Sequence, residues 1–534
     1  MKKNSLTTAL LAGLAGAAGL ATTAHAVNLN PDGLGQALIY PYYGVNSGNQ
    51  TIISVVNTAN DVKAVKVRFL ESRNSREVID FNLYLSPFDV WTGSVFALDA
   101  NGAGNLVTLD NSCTVPAIKG NTSLPSVGGN RYVPFRNTQY SGSFNDGGGQ
   151  TLARTREGHI EIIEMGVLLP GTGAGQLAEE ATHTGAGVPA NCPRLVAAWS
   201  TGGAWTGTGA AANTNSPTGG LFGSGAVVDV ANGTMLAYNA DAIDGFYFTG
   251  NPADDIHFPP GSVLPTLNNA RTGSVAPPVR SFSFIGGPTS SIVISDWNRT
   301  TPNNLAGVDA VSAVLMHDAI YNEYTTDATL GAVTEWVVTF PTKRFYVDHS
   351  AFGGPSTLPT LGGIRVSIAP FSGLGFTQTS GGALVGSFAC EDVDLAIFDR
   401  EEQTTTAPID FSPQPTAGVN QLCEETNTIT FDQTGATSAI LGTPSSRYLN
   451  IDTPFQDGWM RMAFVTSSDT GFDPGFLASR AAASADGDQY EGLPVTGFEA
   501  VNVINANAAP GQLANYSGFF KHRGSRSVTT SGIN

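Results

Sequence analysis

Hydrophobic alternation with a period of two runs through this chain. In Ala64-Val65-Lys66-Val67-Arg68-Phe69 apolar residues alternate with cations, and in Ile79-Asp80-Phe81-Asn82-Leu83-Tyr84-Leu85 they alternate with mostly polar ones. Successive side chains on a strand point to opposite faces of the sheet, so both segments read as half-buried antiparallel strands. Residues 51–56 carry apolar side chains on both faces, and Gly158-His159-Ile160-Glu161-Ile162 resumes the alternation. Residues 226–238 read as a hairpin, with Asn232-Gly233 supplying the positive φ values of a tight turn. Residues 334–339, 393–399 and 458–462 replay this order, but the matches are short and unequally spaced, which favours two unrelated β domains over a duplication.

Helical signals are few. Asp473-Pro474 followed by residues 476–483 offers an N-cap, a proline at the first helical position and good helix formers, and residues 311–321 are ambiguous. The 63 glycines gather in long unpatterned stretches such as residues 201–220, as loops between strands do. The expected fold is mainly β: two β-sandwich domains, Ig-like or jelly-roll-like, with long Gly-rich loops and a few short helices. The N-terminal sandwich spans 27–258 and the C-terminal one 281–534, separated by a Pro-rich linker or loop at 259–280.

Residues 1–26 have the plan of an export signal: a basic Met1-Lys2-Lys3 start, an apolar run from Leu6 to Leu20, and a small-x-small Ala24-His25-Ala26 before Val27. Cleavage there leaves 24 basic and 44 acidic residues, a formal charge of −20 that makes nucleic acid and anionic lipid poor partners. No later apolar stretch reaches the ~18–20 residues of a membrane-spanning helix. Four cysteines in an exported chain favour two disulfides. Of the three connectivities, Cys113–Cys192 with Cys390–Cys423 is preferred, one per half.

Residues 75–91 (Ser75-Arg76-Glu77 through Pro87-Phe88-Asp89-Val90-Trp91), residues 336–346 (Trp336-Val337-Val338 through Arg344-Phe345-Tyr346) and the tail with Phe519-Phe520-Lys521-His522 resemble exported β-rich proteins of Gram-negative bacteria. The resemblance covers most of the mature chain and implies an envelope or extracellular location. It brings no activity, ligand or catalytic residue to transfer.

Constellations that carry chemistry are sparse. No serine stands in a Gly-x-Ser-x-Gly frame, no HExxH pair exists, and Gly171-Thr172-Gly173-Ala174-Gly175 has Gln176 where a dinucleotide loop needs its last glycine. The adjacent pairs His317-Asp318 and Asp348-His349 read as surface hydrogen-bonding groups. Asp486-Gly487-Asp488 with Glu491 could offer oxygens to calcium, a weak signal because the spacing departs from an EF-hand. Leu493-Pro494-Val495-Thr496-Gly497 imitates a sorting pentapeptide but lacks the apolar segment that must follow. No catalytic, cofactor-binding or metal residue is assigned.

Trp199 and Trp205, flanking the Gly-rich loop, form the candidate ligand platform, while Trp91, Trp336 and Trp459 lie in strand patterns and read as core. The expectation is thus an exported, non-enzymatic surface or periplasmic protein of structural or adhesion type, with protein partners or self-association. Residues 27–45 are its candidate donor or docking arm. The alternatives are a carbohydrate-binding or carbohydrate-active protein and an outer-membrane β-barrel.

Overall fold

The computed structural model describes residues 25–532 except 249–255, 274–276, 287–290, 301–303, most of 349–388, 406–408, 414–418, 466–479 and 510–511. The signal segment up to residue 24, His349 and most of the expected helix at 473–483 therefore lie outside the described residues. The fold is mainly β, 46% strand against 10% helix, in antiparallel sheets with short helices between them.

Two large sheets organise the first half. The first runs in the order Asn28–Leu29, Asp241–Asp244, Ala37–Gly44, Glu157–Leu168, Lys63–Glu71, Glu77–Leu85, Cys113–Val115. The second runs Thr234–Asn239, Leu221–Asp229, Gln50–Asn57, Val90–Ala97, Gly104–Val107, Asn130–Pro134, Ser126–Val127. The expected hairpin is present, with Gly233 at φ +64° in its turn. Val65, Val67, Phe69 and Ile162 from the first sheet share one apolar core with Ile53, Val55, Trp91 and Val227 from the second.

Two expectations change here. The proposed docking arm is internal, because Ala37–Gly44 is buried along its whole length between Asp241–Asp244 and Glu157–Leu168 and cannot be donated to a neighbour. The strand Lys63–Glu71 is also buried on both faces rather than half-buried. On its cationic face Lys66 donates to the Pro259 carbonyl at 3.0 Å and Arg68 pairs with Glu77 and Glu161. Past the strand's end the second half of the chain reaches Ser75, whose carbonyl accepts from Arg344 at 2.9 Å and whose hydroxyl donates to Glu425 at 2.7 Å.

The second half distributes its strands over a six-stranded sheet, a four-stranded sheet and several smaller ones. The cores cross the midpoint of the sequence. Val337, Phe498 and Ala500 pack among the first-half residues Tyr42 and Val67, while Val27, Ile39 and Ile163 pack with Trp336 and Phe345. Within residues 256–270, Ile256, His257, Leu267 and Ala270 are buried, and Lys66 and Asn82 donate to the carbonyls of Pro259 and Phe258. The stretch is thereby strapped against the first sheet.

Residues 311–321 divide into helix and strand: the helix is Ala306–Leu315, buried on every side, and the strand Ala319–Thr325 begins beyond it. Ala481–Ala483, expected as the end of a helix, is a strand paired with Gln489–Glu491. Pairing with a neighbour overrides the intrinsic helix preference of alanine. Both disulfides are formed in the preferred connectivity, Cys113–Cys192 and Cys390–Cys423.

The central helix carries Asp309, which receives the Tyr346 hydroxyl and the Arg299 guanidinium, each at 2.9 Å. Burial pushes its carboxyl up to about 6 despite the cation. A carboxyl with a folded pKa above its unfolded value contributes stability that is fully present below about pH 4 and lost as pH rises through about 6. The shift corresponds to about 3 kcal/mol. Asp309→Asn is therefore expected to flatten the stability profile between pH 4 and 6 by that order, measured by urea unfolding at each pH. An unchanged slope would refute this assignment.

Candidate functional site

The four-stranded sheet in the order Asp394–Asp399, Asp457–Ala463, Ala319–Thr325, Arg523–Ser525 has one dry face and one wet one. Leu395, Ile397, Met460, Met462, Ile320 and Tyr324 turn into the core. On the other face the register sets Phe398, Trp459 and Glu323 in one row and Ala396, Arg461, Tyr321 and Arg523 in the next. Trp459 lies over Phe398 with ring centroids 4.4 Å apart and 15° between planes, and Tyr321 follows at 6.3 Å. The preceding Gly458 permits this close stacking of strands, since a Cβ there would stand 1.8 Å from the Phe398 carbonyl oxygen.

Trp459 is 39% exposed, an indole stacked on the Phe398 ring and open to water. Beside it opens a cleft of about 410 Å³ whose lining includes Tyr321, Glu323, Trp459, Glu499, Phe520 and Arg523. Phe520, 54% exposed, forms its far wall.

The wall is fixed from behind. His522 Nε2 donates to the Val337 carbonyl at 2.9 Å, and its Nδ1 accepts from Asn322, whose amide also donates to the Phe520 carbonyl at 2.9 Å. Burial lowers the His522 imidazole to about 3, so it holds this position uncharged at neutral pH. Glu499 is pushed the opposite way, up to about 8, by burial and by the neighbouring Glu323 carboxylate. The cleft therefore contains one carboxyl held protonated at neutral pH beside a second one on a different strand.

The sequence-based platform lies elsewhere and is enclosed. Trp205 is fully buried and Trp199 packs against it at 5.5 Å, with His257 at 4.9 and 5.1 Å from the two rings. Their indole N–H groups are taken up internally, Trp199 by the Tyr84 hydroxyl at 2.8 Å and Trp205 by the Gly175 carbonyl at 2.9 Å. Trp91 and Trp336 are core residues, as their strand patterns suggest, but Trp459 is the surface tryptophan that pattern reasoning assigned to the core.

A second concentration of polar groups lies between the halves. Arg68 pairs with Glu77 at 2.8 Å and Glu161 at 2.5 Å, Lys66 with Asp80 at 2.9 Å, and Arg76 with Asp348 at 2.7 Å. His159 is buried beside them with neither ring nitrogen hydrogen-bonded among the described residues. Burial, followed by the Arg344 and Arg68 charges, lowers its imidazole to about 3.

In the acidic loop, Asp488 accepts from Ser295 at 2.7 Å and from the Ser531 N–H at 3.0 Å, while Ser484 donates to Asp486. No group of three or more His, Cys, Asp or Glu able to hold a metal occurs among the described residues. His317 Nδ1 donates to the Leu315 carbonyl at 2.9 Å, and Leu493–Pro494 pairs with the strand Met316–His317 inside the fold.

Comparison with known protein families, with curated proteins and with solved structures finds no match to this chain. The functional reading accordingly rests on the geometry of the cleft and the exposed aromatic row.

Proposed function

We propose that this chain is an exported surface or periplasmic protein of adhesion type that acts by binding carbohydrate on the Trp459 platform. Aromatic rings in clefts present apolar faces on which sugar rings stack, while polar groups at the rim fix orientation. The carrying observation is the half-exposed Trp459 stacked on Phe398 beside a cleft of about 410 Å³. Two disulfides suit an oxidising compartment, and no helix among the described residues is long and apolar enough to cross a membrane. A glycan is favoured over a donated protein strand because residues 37–44 are held inside the first sheet. The sheets are open rather than closed, which gives the barrel reading no support.

The test is a glycan array followed by titration calorimetry of the selected oligosaccharide. Trp459→Ala is expected to weaken binding about tenfold or more while leaving the unfolding midpoint close to wild type. Undiminished affinity in that variant would sink the platform.

One observation favours a hydrolytic version of this site. Glu499, raised to about 8, has the character of a general acid, and Glu323 supplies a second carboxyl in the same cleft. Release of new reducing ends from the bound oligosaccharide, abolished by Glu499→Gln, would establish it. Their absence in wild type leaves a binding protein.

A further inference from the structure

We propose that the sugar recognised by this platform is acidic, an oligosaccharide whose rings carry carboxylates, read by Arg461 and Arg523. The inference rests on the carbohydrate reading above and adds the ligand's charge. Arg461 and Arg523 stand directly opposite Tyr321 on its two neighbouring strands, so the row reads Arg, Tyr, Arg across three strands. Two strand spacings separate the arginines, about 10 Å. The stacked Trp459 and Phe398 occupy the adjacent row of the same face.

In a chain of formal charge −18, cations are scarce, and most described ones are engaged in ion pairs. Arg461 and Arg523 make neither an ion pair nor a side-chain hydrogen bond among the described residues. Lys521, which also lines the cleft, is already paired with Asp241. Glu323, diagonal to both arginines, pairs with neither.

Two uncommitted guanidinium groups flanking a ring platform match an anion carried on a stacked ligand. The planar fork of arginine suits a carboxylate in particular, donating two parallel hydrogen bonds to its oxygens. A nucleic acid would present aromatic bases and anions too, but its dense phosphates would meet the Glu323 carboxylate and the overall negative field of the chain.

The experiment uses the full chain and three probes: oligomers of galacturonate, of glucuronate and of mannuronate, each paired with its carboxyl-reduced neutral counterpart, with single-stranded DNA as a competing polyanion. At least one uronate is expected to bind about tenfold tighter than its reduced counterpart, since a hydrogen bond to a charged group contributes on that scale. Arg461→Gln or Arg523→Gln should remove most of that preference by weakening the charged form far more than the reduced one, and added salt should weaken it. Trp459→Ala should weaken both forms alike.

Equal affinity for charged and reduced forms would overturn the acidic-sugar assignment and leave the platform standing, as would a preference that survives replacement of both arginines. Binding of none of the oligomers would overturn the acidic-sugar assignment, and with no hit on the glycan array either, or with tighter binding of DNA than of any glycan, the carbohydrate reading would fall with it.

Discussion

Replacing Arg68 with methionine is expected to lower the free energy of unfolding by about 3–5 kcal/mol. The guanidinium is fully buried and holds Glu77 at 2.8 Å and Glu161 at 2.5 Å. Removing it strands two carboxylates in an interior that cannot solvate them, and an uncompensated buried charge costs more than the intact pair contributes. The signature that separates this from lost packing is rescue. The triple variant Arg68→Met, Glu77→Gln, Glu161→Gln removes the charges together and should recover most of the loss in urea denaturation. Equal instability of the single and triple variants would assign the cost to packing instead.

Replacing Cys113 and Cys192 together with serine should destabilise the protein by a similar amount, about 4 kcal/mol, on the chain-entropy account of a loop closed across 79 residues. The crosslink ties the edge strand Cys113–Val115 to the helix Cys192–Ala198, whose Leu195 packs with Tyr84 and Trp205. This satellite core is small, so the effect should be partly local. Proteolysis within residues 171–213 should accelerate ahead of global unfolding. Removal of Cys390–Cys423, which closes only 33 residues, should cost less. The reverse order would show that native-state contacts, not chain entropy, set the contribution.

The strands were legible because period-two alternation is a local property, and Val65, Val67 and Phe69 do enter a core. What alternation cannot reveal is what covers the other face. Lys66 and Arg68 look like the solvent side of a half-buried strand, yet the Pro259 carbonyl, 193 positions later, takes the Lys66 ammonium and Glu161 takes the Arg68 guanidinium inside the fold. The same blindness misplaced the tryptophans. Trp459 alternates with Met460 and Met462 just as a core residue would, and its exposure depends on no element among the described residues being laid over that sheet face. Trp205 sits in a glycine-rich stretch that resembles a surface flap, but Tyr84 and His257 arrive from distant segments to enclose it. The one local hint at Trp459 was its setting, Gly458 before it and Arg461 two residues on, which puts a cation on the same face.

The interpenetration of the two cores bears on the order in which the molecule can be made. A chain emerging amino end first presents Tyr42 and Val67 long before Val337 and Phe498 exist to seal them. Its early sheets, complete only with Asp241–Asp244, must wait with an open apolar face for the 254 residues from Asp244 to Phe498, so native closure belongs to the last stage of synthesis. A truncated form lacking the paired strands Thr496–Ala509 and Gln512–Lys521 should consequently fail as a whole molecule and be caught by holdase chaperones, rather than yield an independent amino-terminal half.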